Sequence, residues 1–257
     1  MKYLCVLLKK MLFLFKFKIF RSIHRRFSLL FNLKYKSVER LDVLFDFDLR
    51  HPIDRHIFYN NKYENENFYL FLEKCNNFKP DIFIDVGSNN GVYSLRIKKK
   101  IPLIKLLAFE PLESNYKRLK KNFLINGIPK KDFELFCFAL SDKNKNLKGK
   151  LDTKKNLINS GGFKIDKKGN ISIETKKFDS LKNLKSKKLA IKIDVEGHEL
   201  YALKGMKTNL INNKILLIIE IKKDFFKRVD DYLKNIDFNF ISKIGDEDYF
   251  YSNYLWI

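Results

Sequence analysis

Phe83-Ile-Asp-Val-Gly-Ser-Asn-Asn-Gly91 is an apolar run that ends in Asp85, passes through glycines at 87 and 91, and gives way to a helix-period stretch at Val92. Strand, glycine turn and helix in this order place free backbone N–H groups at the carboxyl end of a parallel sheet, where α/β folds bind ligands. A dinucleotide fingerprint would need G-x-G-x-x-G, whose middle glycine lets a pyrophosphate approach the backbone. Here Asn89 and Asn90 fill the centre and the acid Asp85 precedes the turn. That arrangement suits a ligand carrying an amino group and a carboxylate better than it suits a pyrophosphate. Taken alone, the segment could also be a turn that only joins a strand to a helix.

From residue 81 onward, apolar runs alternate with charged, helix-period stretches, the pattern of β-α units and a largely parallel sheet. Seven strands are predicted, near residues 81–86, 103–109, 133–140, 189–195, 214–221, 238–243 and 249–256, with helices at 92–99, 113–126, 199–211 and 225–235. The last two strands are separated by residues 244–248 only. That link is too short for a crossover helix, so they should pair as an antiparallel hairpin. Residues 142–188 are rich in Lys, Asn and Gly, alternate at Ile171-Ser-Ile-Glu-Thr175, and read as an insertion with short strands. The predicted organisation is an N-terminal extension over 1–40, a helical lead-in over 41–80 and an α/β domain over 81–257.

Acids recur where the predicted strands end. Glu110 follows the second strand in Phe109-Glu-Pro111, where a carboxylate can accept hydrogen bonds from both hydroxyls of a ribose. The third strand closes with Phe138-Ala-Leu-Ser-Asp142, and Asp142 could meet an adenine amino group or simply hold a turn. The fourth runs through Ile191-Lys-Ile-Asp-Val-Glu-Gly-His-Glu199. Strand alternation puts Lys192, Asp194 and Glu196 on one face of an otherwise apolar run, an expensive placement unless they pair with one another or contact a ligand. His198 follows at the predicted helix start. His24, His51 and His56 belong to no such motif.

Together these strand ends resemble the S-adenosylmethionine (AdoMet) site of class I methyltransferases, and the order D-V-G-x-N-x-G, F-E-P, A-L-S-D, K-I-D-V-E-G-H-E resembles the FkbM family. The likeness runs through Lys204-Gly205 and Ile218-Ile-Glu220, covering about residues 81–221. It implies a Rossmann-like sheet of seven strands with the last antiparallel. It also implies that Asp85, Gly87, Asn89 and Gly91 surround the methionine part of AdoMet, that Glu110 holds the ribose and that Asp142 faces the adenine. The implied reaction is O-methylation of a hydroxyl on a sugar, a surface glycan or another small metabolite, a polyketide included. Such a hydroxyl needs a base as the new bond to carbon forms. Asp194 at the strand tip is the first choice and His198 the second, with Lys192 and Glu196 beside them. A Mg²⁺ ion bridging Asp194 and Glu196 is chemically open, but two carboxylates are a thin site and no metal is expected.

The chain carries 52 Lys and Arg against 30 Asp and Glu, a formal charge of +22. Part of that bias follows the AT-rich codon usage that also favours Asn, Ile, Phe and Tyr. Residues 1–40 are the anomalous part, with eleven basic side chains against the single acid Glu39. Lysines interrupt the apolar run near the start too often for a membrane span, and no small-residue cleavage site follows it. A basic amphipathic element on an anionic membrane is one reading, and a helix docked on its own domain is the other. A nucleic-acid methyltransferase is disfavoured because Asp194-Val-Glu-Gly197 stands where base amino methylation uses an Asp/Asn-Pro-Pro-aromatic turn. A binding domain that kept the AdoMet geometry without catalysis is disfavoured by the intact set of Asp85, Gly87, Glu110 and Asp194. Cys5, Cys75 and Cys137 are odd in number and widely spaced, which fits a reducing cytosol, and the membrane reading of residues 1–40 would place the protein peripherally on the inner membrane face.

Overall fold

A computed structural model of the chain describes residues 18–154 and 157–254. It begins with helix α1 (Lys18–Leu30), the hairpin β1 (Lys34–Arg40) and β2 (Val43–Asp48), then helices α2 (Pro52–Asn60) and α3 (Asn65–Phe78). The sequence reading made 41–80 wholly helical, and the hairpin corrects it. Val43-Leu-Phe-Asp-Phe-Asp48 alternates with period two and buries Phe45 and Phe47. Leu41 and Asp42 both take positive φ, 55° and 66°, as a two-residue hairpin turn of matching twist requires. The open edge of β2 is satisfied by amides from a later helix. Asn126 accepts from Leu44 N–H at 2.9 Å and donates to its carbonyl at 2.8 Å, and Asn122 accepts from Asp46 N–H at 3.0 Å.

The chain then alternates: β3 (Ile82–Val86), α4 (Val92–Lys100), β4 (Lys105–Phe109), α5 (Glu113–Ile125) and β5 (Phe133–Phe136). The predicted third strand, 133–140, is divided, because after Phe136 the chain leaves the main sheet and Ala139–Leu140 (β6) pairs with the insertion. In the insertion, β7 (Lys145–Lys154), β8 (Leu157–Ile165) and β9 (Ile171–Lys176) are longer than expected and form with β6 a four-stranded sheet. A short helix α6 (Phe178–Leu181) leads to β10 (Lys188–Ile193), α7 (Glu199–Gly205), α8 (Lys207–Ile211), β11 (Lys214–Glu220), α9 (Lys223–Lys234), β12 (Asn239–Ile244) and β13 (Asp248–Ser252). The predicted helix 199–211 is broken at Met206, and of the predicted strand 249–256 residues 255 and 256 lie outside the described residues.

The main sheet runs β5-β4-β3-β10-β11-β13-β12, with β13 antiparallel to both neighbours. This is the seven-stranded sheet with an antiparallel last strand that the family likeness implied. Chain order steps outward from β3 to β4 and β5 on one side, then returns to β10 on the other. The junction of β3 and β10 is therefore the topological switch point, where crossover connections diverge and leave a crevice at the strand tips. Both faces are covered. Phe83, Ala190, Leu216 and Ile218 face a core shared with α3, α4 and the N-terminal hairpin, while Ile84, Val86, Ile191, Ile193, Leu217 and Ile219 face α7 and α9. Near-continuous apolar strands are what a doubly covered parallel sheet requires.

One backbone contact holds the crevice. Asp194 N–H donates to Val86 carbonyl at 3.0 Å, and Gly87, at φ +86°, lies so near that a Cβ there would sit 1.8 Å from the Asp194 carbonyl oxygen. Gly127 also has positive φ, +65°, but nothing lies within 4 Å of a Cβ built on it. Gly127→Ala should cost roughly 1–2 kcal/mol, the conformational term alone. Gly87→Ala should cost about 4 kcal/mol or abolish folding, because the contact cannot be relieved without parting the two strand tips. Urea denaturation of both variants checks this, and equal losses would show that the close approach does not constrain the fold.

Candidate active site

Period-two alternation writes a polar row into an apolar sheet. Phe83, Ala190, Ile218 and Phe250 share the face turned to α3, so Asp85, Lys192, Glu220 and Asp248, two residues on or back along the same strands, continue that face at the tips of β3, β10, β11 and β13. Lys192 is in register with Asp85, and Glu220 with Asp248. Asp85, Lys192 and Glu220 of this row form one wall of a cleft of about 330 Å³ at the switch point. Among the described residues six carboxyl groups line it, those of Glu64, Asp85, Glu110, Asp194, Glu196 and Glu220, against Lys192 as the one lysine. In a chain of +22, that concentration of acid favours a cationic ligand.

The glycine turn builds one end. Gly91 opens α4 at φ +89°, and a Cβ there would meet Leu119 Cδ1 at 2.7 Å, so the turn packs directly on α5. Asn89, at φ 51°, donates its N–H to Glu110 Oε2 at 2.9 Å, and Leu112 N–H donates to Glu110 Oε1 at 2.9 Å. These bonds aim the carboxylate from the tip of β4 into the cleft. Burial pushes the Glu110 carboxyl up to about 7 despite them. Burial likewise raises Asp85, against the pull of Lys192 and a hydrogen bond from Ser94. Ser88 Oγ and Asn90 Oδ1 line the cleft, buried and without a hydrogen-bond partner among the described residues. Buried polar atoms are rarely left so, and a polar ligand there would satisfy them. Phe109, Ala139 and Leu140 supply an apolar side beside Glu110, suited to a flat ring. These residues fit AdoMet.

Asp142 does not join them. It lies past the end of β6, outside the cleft lining, and accepts from Ser141 Oγ at 3.2 Å. Ser141 Oγ also meets His198 Nε2 at 3.0 Å. With the serine donating to Asp142, the imidazole donates through Nε2 and keeps Nδ1 as an acceptor. Division of the third strand is the reason, because it carries Ser141 and Asp142 toward α7: a Cβ on Gly205 would sit 1.9 Å from Ser141 carbonyl oxygen.

Beyond Ile193 the fourth strand gives way to a turn, with Glu196 at φ 53° and Gly197 at φ 100°, so Glu196 no longer follows the alternation expected of it. Lys192 Nζ donates to Asp194 Oδ2 at 2.9 Å, and Lys222 Nζ donates to Glu196 Oε2 at 2.6 Å. Each of these two carboxylates thus has one oxygen engaged by a lysine. Burial works against the charge on Lys192, yet Asp194, Glu64, Tyr93 and Asp85 hold its pKa well above the ordinary lysine value. Its Nζ also lies 4.8 Å from the centre of the Tyr93 ring. His198 is stacked on Tyr201, and burial lowers it to about 4, so the ring is neutral at pH 7. Burial, with Asp194 nearby, raises Glu220 to about 8.

Three contributions to the cleft lay outside the motifs. Ile53 comes from α2, Tyr63 and Glu64 from the turn before α3, and Gly161, Gly162 and Phe163 from β8. Gly161 packs on Ile53, whose Cδ1 is 2.6 Å from a Cβ built there, so the insertion and the lead-in close over the cleft together. Asp54, buried in α2, accepts from Asp48 N–H at 2.8 Å and Asn90 Nδ2 at 2.9 Å and pairs with Arg118 of α5. The lead-in thereby locks the glycine turn. Glu64 carried one local signal, an acid immediately before a helical stretch in Tyr63-Glu-Asn-Glu66, but nothing in its spacing separated it from a capping residue.

Fold and cleft together define a class I methyltransferase. Residues 85–240 match the family described as the methyltransferase FkbM domain, and the chain belongs to that family of AdoMet-dependent methyltransferases. It is 26% identical over 183 residues to methyltransferase 1 of Beauveria bassiana, a match covering 61% of this chain and 73% of that protein. It is 31% identical over 161 residues to the hexuronic acid methyltransferase AglP of Haloferax volcanii, covering 62% of each. Among solved structures it is similar to a SAM-dependent O-methyltransferase from Thermotoga maritima, with 9% identity, a TM-score of 0.46, and coverage of 77% of this chain and 69% of that one.

Glu110 offers a test that separates binding from stability. Glu110→Gln should weaken AdoMet and its demethylated product by about 2 kcal/mol for the lost charge-assisted bonds, read by titration calorimetry. A carboxyl raised from 4.5 to about 7 on folding keeps its contribution below pH 4.5 and loses it as pH rises through 7. Without ligand, the stability of Glu110→Gln relative to the wild type should therefore improve by about 2 kcal/mol between pH 5 and pH 8. A difference independent of pH, or an unchanged affinity, would remove the assignment.

Proposed function

We propose that this enzyme transfers a methyl group to a hydroxyl of a sugar, free, lipid-linked or part of a surface glycan, and that Asp194 receives the hydroxyl proton. The observation that carries this reading is the Lys192–Asp194 pair at the switch point, in the wall between the glycine turn and Glu220. Lys192 engages Oδ2 of Asp194, which leaves Oδ1 to accept from an incoming hydroxyl. Glu64, Glu220 and the Tyr93 hydroxyl add hydrogen-bonding groups of the kind a polyhydroxylated acceptor needs. The similarity to a hexuronic acid methyltransferase supports a sugar acceptor.

Bound AdoMet supplies an electrophilic methyl group on a sulfonium. The protein's part is to hold the acceptor oxygen in line with it, and orientation of this kind can account for ~7–11 kcal/mol of the barrier. Asp194 orients the hydroxyl and takes its proton as the oxygen becomes bonded to carbon. His198, held near 4, is no stronger a base than a carboxylate, which favours Asp194 for the proton and leaves His198 to fix the turn through Ser141. The insertion strand β8 and the lead-in residues Ile53 and Tyr63 shield the reacting atoms from water.

Asp194→Asn should lower kcat by ~10²–10⁴-fold while AdoMet affinity stays nearly constant, and the wild-type rate should survive EDTA. Labelled-methyl transfer into glycan extracts, followed by mass spectrometry for the gain of one methyl, provides the assay. If Asp194→Asn loses AdoMet binding or stability in proportion to rate, the Lys192–Asp194 pair only braces the cleft. Methyl release from the product under mild base would indicate a carboxylate acceptor and overturn the hydroxyl assignment.

A further inference from the structure

Asn90 sits in the glycine turn, 1% exposed, with its main chain and its side chain held by two different helices. Its carbonyl accepts from Asn122 Nδ2 of α5 at 2.8 Å, and its own Nδ2 donates to Asp54 Oδ1 of α2 at 2.9 Å. A further bond, from Gly91 N–H to the Ser88 carbonyl at 2.8 Å, closes the turn around it. Asn90 Oδ1 is left buried in the cleft lining with no partner among the described residues, and so is Ser88 Oγ. A buried amide rarely forgoes part of its hydrogen bonding, so an unpaired oxygen here points to a donor that arrives with the ligand.

Which end of the amide faces the cleft is decided by Asp54. That carboxyl is fully buried, and three donors reach it: Asp48 N–H at 2.8 Å on Oδ2, with Asn90 Nδ2 and the Arg118 guanidinium on Oδ1. Burial raises its pKa, while Arg118 and the Asp48 N–H oppose that rise. With donors on both oxygens and an arginine paired to it, the group acts as an acceptor only. Such a group repels an amide oxygen and attracts the NH₂, so Asn90 turns Nδ2 to Asp54 and Oδ1 to the cleft. The flipped amide would set two oxygens against each other in a buried site and aim its N–H groups at the ligand. In a zwitterionic amino-acid group the donor that Oδ1 needs is the ammonium, and the Ser88 hydroxyl can donate to the carboxylate.

We propose that Asp54 is a positioning residue for the cofactor: it fixes the Asn90 amide with Oδ1 toward the cleft, where that oxygen accepts from the α-ammonium of bound AdoMet. The polarity is set before the ligand arrives, so binding costs no reorientation of the amide. Asp54 lies in the lead-in, outside the residues 85–240 that match the family, and the inference rests on the family's cofactor alone, whichever acceptor is methylated. Helix α2 thereby acts on the amino-acid end of the cofactor through Asn90, besides lining the cleft with Ile53.

Titration calorimetry of the full chain with two ligands tests this without an activity assay. S-adenosylhomocysteine has the amino-acid group, and 5′-methylthioadenosine keeps the adenosine and the sulfur but lacks it. Asp54→Asn, whose amide can donate to Oδ1 and turn Asn90 over, should weaken S-adenosylhomocysteine about tenfold or more and leave 5′-methylthioadenosine within about twofold. Asn90→Ala should do the same. Because the two residues act through one bond, the double variant should bind S-adenosylhomocysteine no more weakly than Asn90→Ala alone. Should Asp54→Asn alone not fold, Asp54→Asn with Arg118→Gln removes the whole ion pair, leaves neither charge buried alone, and should show the same selective loss. A loss shared equally by the two ligands would make Asp54 structural only and overturn the proposal. Undiminished S-adenosylhomocysteine affinity, or additive losses in the double variant, would overturn it as well. A wild type that binds neither ligand would remove the AdoMet assignment and the proposal with it.

Discussion

The tips of β3 and β10 meet at one backbone contact, Gly87 against the carbonyl of Asp194, and the working end of the molecule is built outward from it. A side chain at residue 87 would drive the two tips apart. Because Gly87 has none, the turn that carries Asn89, Asn90 and Gly91 lies directly against Asp194. The glycine turn and Asp194 are thus placed relative to each other by main-chain atoms, which move less than side chains do. The same junction is the switch point of the sheet, so the crevice that the topology creates is also the one the contact rigidifies.

Around this junction the molecule separates two electrostatic environments. The cleft gathers carboxyl groups and balances them with one buried lysine, whose charge is kept by Asp194 and its acidic neighbours despite the burial. The groove between α1 and α2, by contrast, is lined by Lys18, Arg21, Arg25 and Arg55. Net charge alone suggested an anionic partner. Its distribution places acid in the cleft, where it favours a cationic ligand.

The strand–turn–helix at 83–92, the acid after β4 and the run through Asp194 were legible because each is local. A glycine turn, a strand tip and a period-two face are properties of a few consecutive residues. Glu110, Asp85, Lys192, Asp194, Glu196 and His198 all line the cleft. Asp142 lies outside the cleft lining, and its placement depends on where β5 stops pairing with β4 and β6 begins pairing with β9, a competition between two sheets that no local pattern records. The hairpin at 34–48 was missed for a similar reason. Its exposed edge is stable only because Asn122 and Asn126, some eighty residues away, supply the missing hydrogen bonds.

The sequence by itself determined the α/β class, the order of its units, the antiparallel close of the sheet and the acids at the strand tips, since these follow from periodicity, glycine chemistry and link length. Only the tertiary structure decided what encloses the cleft. Ile53, Glu64 and Gly161 come from segments with no motif, brought together because the buried Asp54 binds Asn90 and Arg118 at once and because the insertion sheet folds back onto α2. Contacts between distant segments rest on complementary shape and on the pairing of buried charge, and neither leaves a periodic trace along the chain.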